Sequence, residues 1–119
     1  MKIQAKAISK ELRQIKKTLA SKFNARQVIL FGSYAYGQPD AESDLDVCVI
    51  LDLRGKRKIE LMREMHRELA SFISLPVDIL VYSEQEFSER ASLTSTLEHK
   101  ILTQGIQLYE QSRSSERMV

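Results

Sequence analysis

The chain has 119 residues, 43% hydrophobic and 29% charged, with a formal net charge of +2. That suffices for one globular domain and leaves no room for catalytic, base-recognition and partner domains side by side. The composition excludes a disordered or fibrous chain, and the longest apolar run, Val47 to Leu51, is far short of the roughly 20 residues of a membrane-spanning helix.

The N-terminus alternates lysines with single apolar residues and lacks the apolar segment of a secretory signal. One cysteine, Cys48, permits no internal disulfide, so a reducing, cytoplasmic setting is expected. Two histidines and one cysteine are too few for the usual zinc site. The small net charge conceals segregation. Residues 1–27 carry eight Lys/Arg against the single acid Glu11. Residues 38–52 carry Asp40, Glu42, Asp44, Asp46 and Asp52 and no base, and Arg54, Lys56, Arg57 and Lys58 follow. Carboxylates so crowded repel one another unless they are solvated or hold a cation.

Residues 4–23 read as an amphipathic helix. Ile8, Leu12, Ile15, Leu19 and Phe23 form one apolar stripe, and Lys2, Lys6, Lys10, Arg13 and Lys17 lie opposite. Asn24 is placed to stop it in a left-handed conformation. Gln27 to Phe31 is a short buried strand ended by Gly32. The segment from Gly32 to Asp40 holds two glycines and a proline, so it is a loop with at most one helical turn. Asp44 to Leu51 is a second strand with Asp44, Asp46, Cys48 and Ile50 on one face. A basic turn around Gly55 leads to a helix over about 59–73, with Met62, Met65, Leu69, Phe72 and Ile73 inward. Val77 to Tyr82 is a third strand carrying Asp78, Leu80 and Tyr82 on one face. Ser83 with Glu86 opens a further helix as a capping box. A helix around 94–103 presents Leu97 and Ile101, and Gly105 stands at its C-terminal end. Ile106 to Tyr109 fits a last short strand. Residues 1–110 thus form one domain, and 111–119 read as a flexible tail. The fold class is α/β with one small sheet. The link between the first two strands is too short for a parallel crossover, so they are antiparallel and the sheet is mixed.

Asp44 and Asp46 stand two apart on a strand, with side chains on the same side and α-carbons roughly 6.5–7 Å apart. Paired carboxylates at that spacing suit hard cations such as Mg²⁺, which is held by one or two carboxylates plus substrate phosphates. Asp78 interrupts an otherwise apolar strand and joins them if the two strands are neighbours. Gly32 lets a backbone approach a ligand closely, and Ser33 adds a hydroxyl and an amide where a helical turn begins. The simpler readings are that Asp44 and Asp46 are solvated acids at a strand entrance, that Asp78 caps a turn after Pro76, and that Ser33 caps the next turn. Cys48 reads as a small buried hydrophobe, and His66 and His99 as structural or solvated. Tyr34 and Tyr36 beside the loop suit stacking on a nucleotide base, and support of the loop is the simpler reading. The basic face of the first helix lacks interleaved aromatics, so nucleic-acid binding is not expected.

Gly32-Ser33, ten intervening residues, Asp44-x-Asp46 in a strand, then an isolated strand Asp78: this combination resembles the minimal nucleotidyltransferases (MNT proteins) of the DNA polymerase beta superfamily, the MntA-like antitoxins of HEPN/MNT pairs among them. The resemblance spans about residues 4–110. It implies a nucleotidyltransferase fold, a small mixed sheet with helices packed on one face. It implies transfer of a nucleoside monophosphate from ATP or another NTP, with two Mg²⁺ ions at Asp44, Asp46 and Asp78 and the phosphates at Gly32 and Ser33. It further implies a hydroxyl acceptor on a partner protein, a helical HEPN-type ribonuclease toxin neutralised by AMPylation. Complex formation without chemistry is the alternative, and a homo-oligomer is compatible with either. Many relatives carry an arginine three positions after the Gly-Ser, and here that position is Tyr36. Arg54, Lys56 or Arg57 are the candidates to replace that charge.

Overall fold

The computed structural model describes residues 8–37, 39–40 and 43–111. The first four residues of the expected N-terminal helix, the lysines Lys2 and Lys6, Glu42 of the acidic segment, and 112–119 of the expected tail lie outside the described residues.

The apolar stripe of the first segment produces helix α1 (Ser9–Lys22), which buries Ile15 and Leu19 completely. Each such burial is worth about 1.5–3 kcal/mol. The helix ends as expected, with Asn24 at φ 54°. Strand β1 (Gln27–Phe31) leads into one helical turn, α2 (Ser33–Tyr36), and then into β2 (Leu45–Ile50). Helix α3 (Lys58–Ala70) precedes β3 (Val77–Tyr82). Two short helices, α4 (Glu84–Ala91) and α5 (Leu97–Gln104), and the strand β4 (Ile106–Glu110) complete the chain.

The sheet order is β3-β2-β1-β4. β1 runs antiparallel to both β2 and β4, and β2 is parallel to β3. The sheet is therefore mixed for the reason expected. The β1–β2 link cannot cross over, whereas the longer β2–β3 link contains α3. Odd positions of β2 and β3 (Leu45, Val47, Val49, Ile79, Val81) face α1 and α3 and join Leu19, Met65 and Leu69 in the larger core. The opposite face is not bare. Its Cys48, Ile50 and Tyr82 pack beneath Phe87, Ala91 and Ile101 of α4 and α5. The expected one-face packing thus holds for the two long helices, and the two short ones cover part of the second face.

Three packing expectations need correction. The buried stripe of α3 is Leu61, Met65 and Leu69, continued by Ile73, while Phe72 is 49% exposed. The helix stops at Ala70, so Phe72 falls in the following turn and leaves the helical period. In α5, Ile101 is buried but Leu97 is exposed, and Glu98 is buried in its place. Gly105 has an ordinary φ of −69°. A β-carbon there would stand 2.5 Å from Ile101 O and 2.6 Å from Ile29 Cγ2, so close packing, not a left-handed cap, demands the glycine. Half of the expected Ser83–Glu86 capping box forms: the Ser83 hydroxyl accepts the amide of Glu86 at 3.1 Å, while the Glu86 carboxylate pairs with Lys58 and Arg90 instead of returning to the cap. No helix among the described residues is long and apolar enough to cross a membrane.

Candidate active site

Strand register decides which acids meet. In the parallel β2–β3 ladder Asp46 is the partner of Asp78, so both side chains leave the sheet on the same face. That face is the one carrying Cys48, Ile50 and Tyr82, with α4 and α5 above it. Those helices cover the far halves of the strands. Asp46 and Asp78 occupy the near ends, where Asp78 is exposed and Asp46 half-buried. Asp44 precedes β2 by one residue and is also exposed.

The antiparallel β1–β2 ladder pairs Phe31 with Asp46, which sets the next residue, Gly32, against the Asp46 carboxylate. Gly32 has φ +77°, and a β-carbon on it would lie 2.0 Å from Asp46 Oδ2 and 2.9 Å from Cγ. The position needs glycine twice over: for its left-handed backbone and for the space its missing side chain leaves. The chain then coils into α2. The amides of Ala35 and Tyr36 return to Gly32 O at 3.0 and 3.1 Å, and Gly37 N donates to Ser33 O at 3.0 Å. Gly32, not Ser33, is therefore the N-cap, and no side chain caps the turn. Ser33 is its first helical residue, whose amide precedes the turn's own hydrogen bonds.

Three negative charges collect here, and the electrostatics of Asp46 record it. Burial first, then the Asp78 and Asp44 carboxylates, push its carboxyl above the ordinary aspartate value. The acids are neighbours without closing into a ready-made cage: among the described residues no group of three or more His, Cys, Asp or Glu is drawn together tightly enough to hold a metal ion. The two exposed members project from separate strand entrances, and like charges have no reason to converge unaided.

The expected substitutes for the missing arginine are at the wrong end of the sheet. Arg54 and Lys56 follow the far end of β2, where with Lys22, Asn24 and Asp52 they line a separate cleft of about 330 Å³. Arg57 opens α3 beyond it and pairs with Glu60. Four strand residues, Val47 to Ile50, follow Asp46 before that end, roughly 13 Å. What the structure sets on Tyr36 is Lys100 of α5, whose Nζ lies 4.6 Å from the ring centroid. Sequence reasoning missed this residue, because no local pattern ties position 100 to position 36.

The remaining reactive groups are spoken for. Cys48 is fully buried, and burial together with Glu98 pushes its thiol up to about 12, so it is no nucleophile. His99 Nδ1 contacts Ala91 O at 2.9 Å, a structural role. His66 lies on exposed surface of α3.

The family model described as polymerase beta, nucleotidyltransferase matches residues 13–114. A protein of Methanocaldococcus jannaschii assigned as a protein adenylyltransferase, MJ1379, is 34% identical over 73 residues, which is 61% of this chain and 73% of that protein. A second from the same organism, MJ0604, is 28% identical over 102 residues, 84% of this chain and 96% of its own length. A crystal structure described as a nucleotidyltransferase of Sulfolobus solfataricus superposes with a TM-score of 0.62 at 21% identity, over 91% of this chain and 85% of that one. A mutant of the MntA-HpeT toxin–antitoxin superposes with a TM-score of 0.52 at 22% identity, over 89% and 78% of the two chains. These superpositions carry the fold. The sequence matches carry more: the chain belongs to the polymerase beta nucleotidyltransferase family, and it is a nucleotidyltransferase.

Proposed function

We propose that this protein transfers AMP from ATP to a hydroxyl of a partner protein, and that the partner is a helical HEPN-type toxin which the modification silences. The observation that carries the catalytic half is the register that sets Asp46 beside Asp78 and against Gly32. The protein-acceptor half is supported by the relatives assigned as protein adenylyltransferases and by the likeness to a toxin–antitoxin solved with AMP-PNP, with a TM-score of 0.51 at 24% identity.

The donor set suits magnesium. Asp44, Asp46 and Asp78 offer only carboxylate oxygen, and the mutual repulsion that raises Asp46 is what a cation would relieve. Bound there, Mg²⁺ would offset the charge of the triphosphate and of the departing pyrophosphate. Gly32 leaves its backbone open beside Asp46, because it carries no side chain there, and with Ser33, the first residue of the following turn, it would bring backbone close to the phosphates. Asp78 is open to solvent at the sheet edge, where an incoming hydroxyl can reach it. Its carboxylate takes the hydroxyl proton. The oxygen bonds to the α-phosphorus, and the bond from that phosphorus to the bridging oxygen breaks, so pyrophosphate leaves with the electron pair.

The alternative, neutralisation by complex formation alone, is favoured by the exposed Leu93, Leu97 and Leu102 on and before α5, which suit a protein–protein contact. Intact mass spectrometry separates the two. The protein is incubated with the product of the adjacent gene, ATP and Mg²⁺. An AMP increment on the partner that vanishes with Asp46→Ala supports transfer. Neutralisation by Asp46→Ala without any increment overturns it in favour of binding.

A further inference from the structure

Among the described residues Lys100 is a cation that joins none of the ion pairs. Its ammonium rests instead on the ring of Tyr36 at 4.6 Å. A ring face holds an ammonium in place without neutralising it.

The direction of approach is informative. Ile101, the next residue of α5, is buried on the sheet face that carries Cys48 and Ile50. Asp46 and Asp78 lie at the open end of that same face. Lys100 therefore reaches the Gly32–Tyr36 turn from the helix layer that packs on that face. Asp44, Asp46 and Asp78 make the neighbouring strand ends negative, and a triphosphate held beside them gains from a charge-assisted bond to a cation of the protein.

We propose that Lys100 binds the β- and γ-phosphate oxygens of the nucleotide and that Tyr36 is the positioning residue that holds its ammonium over the phosphate turn. This rests on the nucleotidyltransferase reading above. A lysine suits the task, since its long stem and three donors let it move from the ring to a phosphate oxygen.

The test is calorimetric titration of the full-length protein with ATP and with AMP, each in Mg²⁺. The unaltered protein binds ATP more tightly than AMP. Lys100→Met weakens ATP about tenfold to a hundredfold and leaves AMP unchanged, whereas Lys100→Arg keeps most of the ATP affinity. Tyr36→Phe retains the ring and with it most of the ATP affinity; Tyr36→Leu follows Lys100→Met. Adding Tyr36→Arg to Lys100→Met restores ATP binding by placing the charge on the turn itself. Undiminished ATP binding by Lys100→Met overturns the inference and leaves the nucleotidyltransferase reading intact. So does an equal loss for ATP and AMP, which marks a role in folding only. Failure of the unaltered protein to bind ATP overturns the ATP reading and this inference together.

Discussion

The α-carbon of Gly32 faces the Asp46 carboxylate so closely that a methyl group added to it would stand 2.0 Å from Oδ2. The two residues come together because Phe31 is the ladder partner of Asp46 and Gly32 is the next residue along. Any side chain at 32 must displace the acid, and a φ of +77° strains every L-residue there as well. Gly32→Ala is expected to abolish transfer and to lower stability by about 1–3 kcal/mol. Thermal melts of Gly32→Ala, Asp46→Gly and the double variant check the coupling. The double variant should cost less than the sum of the singles, because the clash with the carboxylate is gone while the backbone strain remains. Strict additivity would contradict the geometry.

Asp46 also sets a pH dependence. Its folded value is raised above the unfolded one by burial and by Asp78 and Asp44. A raised carboxyl binds its proton more tightly in the folded state. Stability is then fully present below the unfolded value and declines as pH rises through the window up to the folded value. In metal-free buffer Asp46→Asn should therefore melt higher than the unaltered protein at neutral pH, with the gap closing toward acid. Transfer should fall about 100-fold or more, since several kcal/mol of charge stabilisation are lost. Chemical denaturation across pH 3 to 7 decides the first point. A destabilised Asp46→Asn at neutral pH would show that the carboxylate is a structural ligand.

The first three strands were legible in the sequence to within a residue at each end. Short β-branched runs bounded by Gly32, Pro76 and Ser83 leave little else to choose. The acids were legible for a related reason: Asp78 is conspicuous in a run of apolar residues, and strand alternation fixes its side. What brings Asp46 to Asp78 is the β2–β3 register, which depends on packing across the sheet rather than on either strand alone. Lys100 over Tyr36 and Glu98 beneath Tyr82 are contacts between segments far apart in sequence, which no periodicity reveals. The swap of Leu97 for Glu98 as the buried residue of α5 shows the same limit. Hydropathy ranks leucine first, and a hydrogen-bond partner on β3 reverses the order.

That partner is Tyr82, whose hydroxyl donates to Glu98 Oε2. The bond holds the Glu98 carboxyl below the usual glutamate range, against the opposing effect of burial. Burial and the same bond push the Tyr82 phenol up. Tyr82→Phe leaves a carboxylate that is only 9% exposed without this donor, at an expected cost of about 1–3 kcal/mol at neutral pH. Glu98 has a depressed folded value, so its contribution is present above the unfolded value and is lost as pH falls through the folded one. The difference between Tyr82→Phe and the unaltered protein should therefore shrink on acidification. The ring packing against Phe87, whose centroid lies 5.4 Å away, is retained in Tyr82→Phe, so a pH-independent difference in unfolding free energy would detach the effect from the ionisation of Glu98 and contradict this account.

The exposed acids should separate chemistry from stability. Asp44 and Asp78 are open to solvent, and exposed charges contribute little to folding. Asp44→Asn and Asp78→Asn are expected to melt within about 1 kcal/mol of the unaltered protein, and relief of repulsion with Asp46 should place them, if anything, slightly higher. Their kinetic signatures should differ. Asp78 is assigned the proton of the incoming hydroxyl, a role worth about 10²–10⁴ in rate. Asp78→Asn should therefore lower the rate of AMP transfer far more than nucleotide affinity, and the residual rate should rise with pH as the acceptor hydroxyl ionises unaided. Asp44→Asn has no proton to accept, so its loss should fall on nucleotide binding in Mg²⁺ and leave the shape of the pH–rate profile unchanged. Single-turnover rates measured from pH 6 to 9, beside nucleotide titrations of both variants, distinguish the roles. Identical pH–rate profiles for Asp78→Asn and the unaltered protein would remove Asp78 from proton transfer and leave it as a binder of the ion alone.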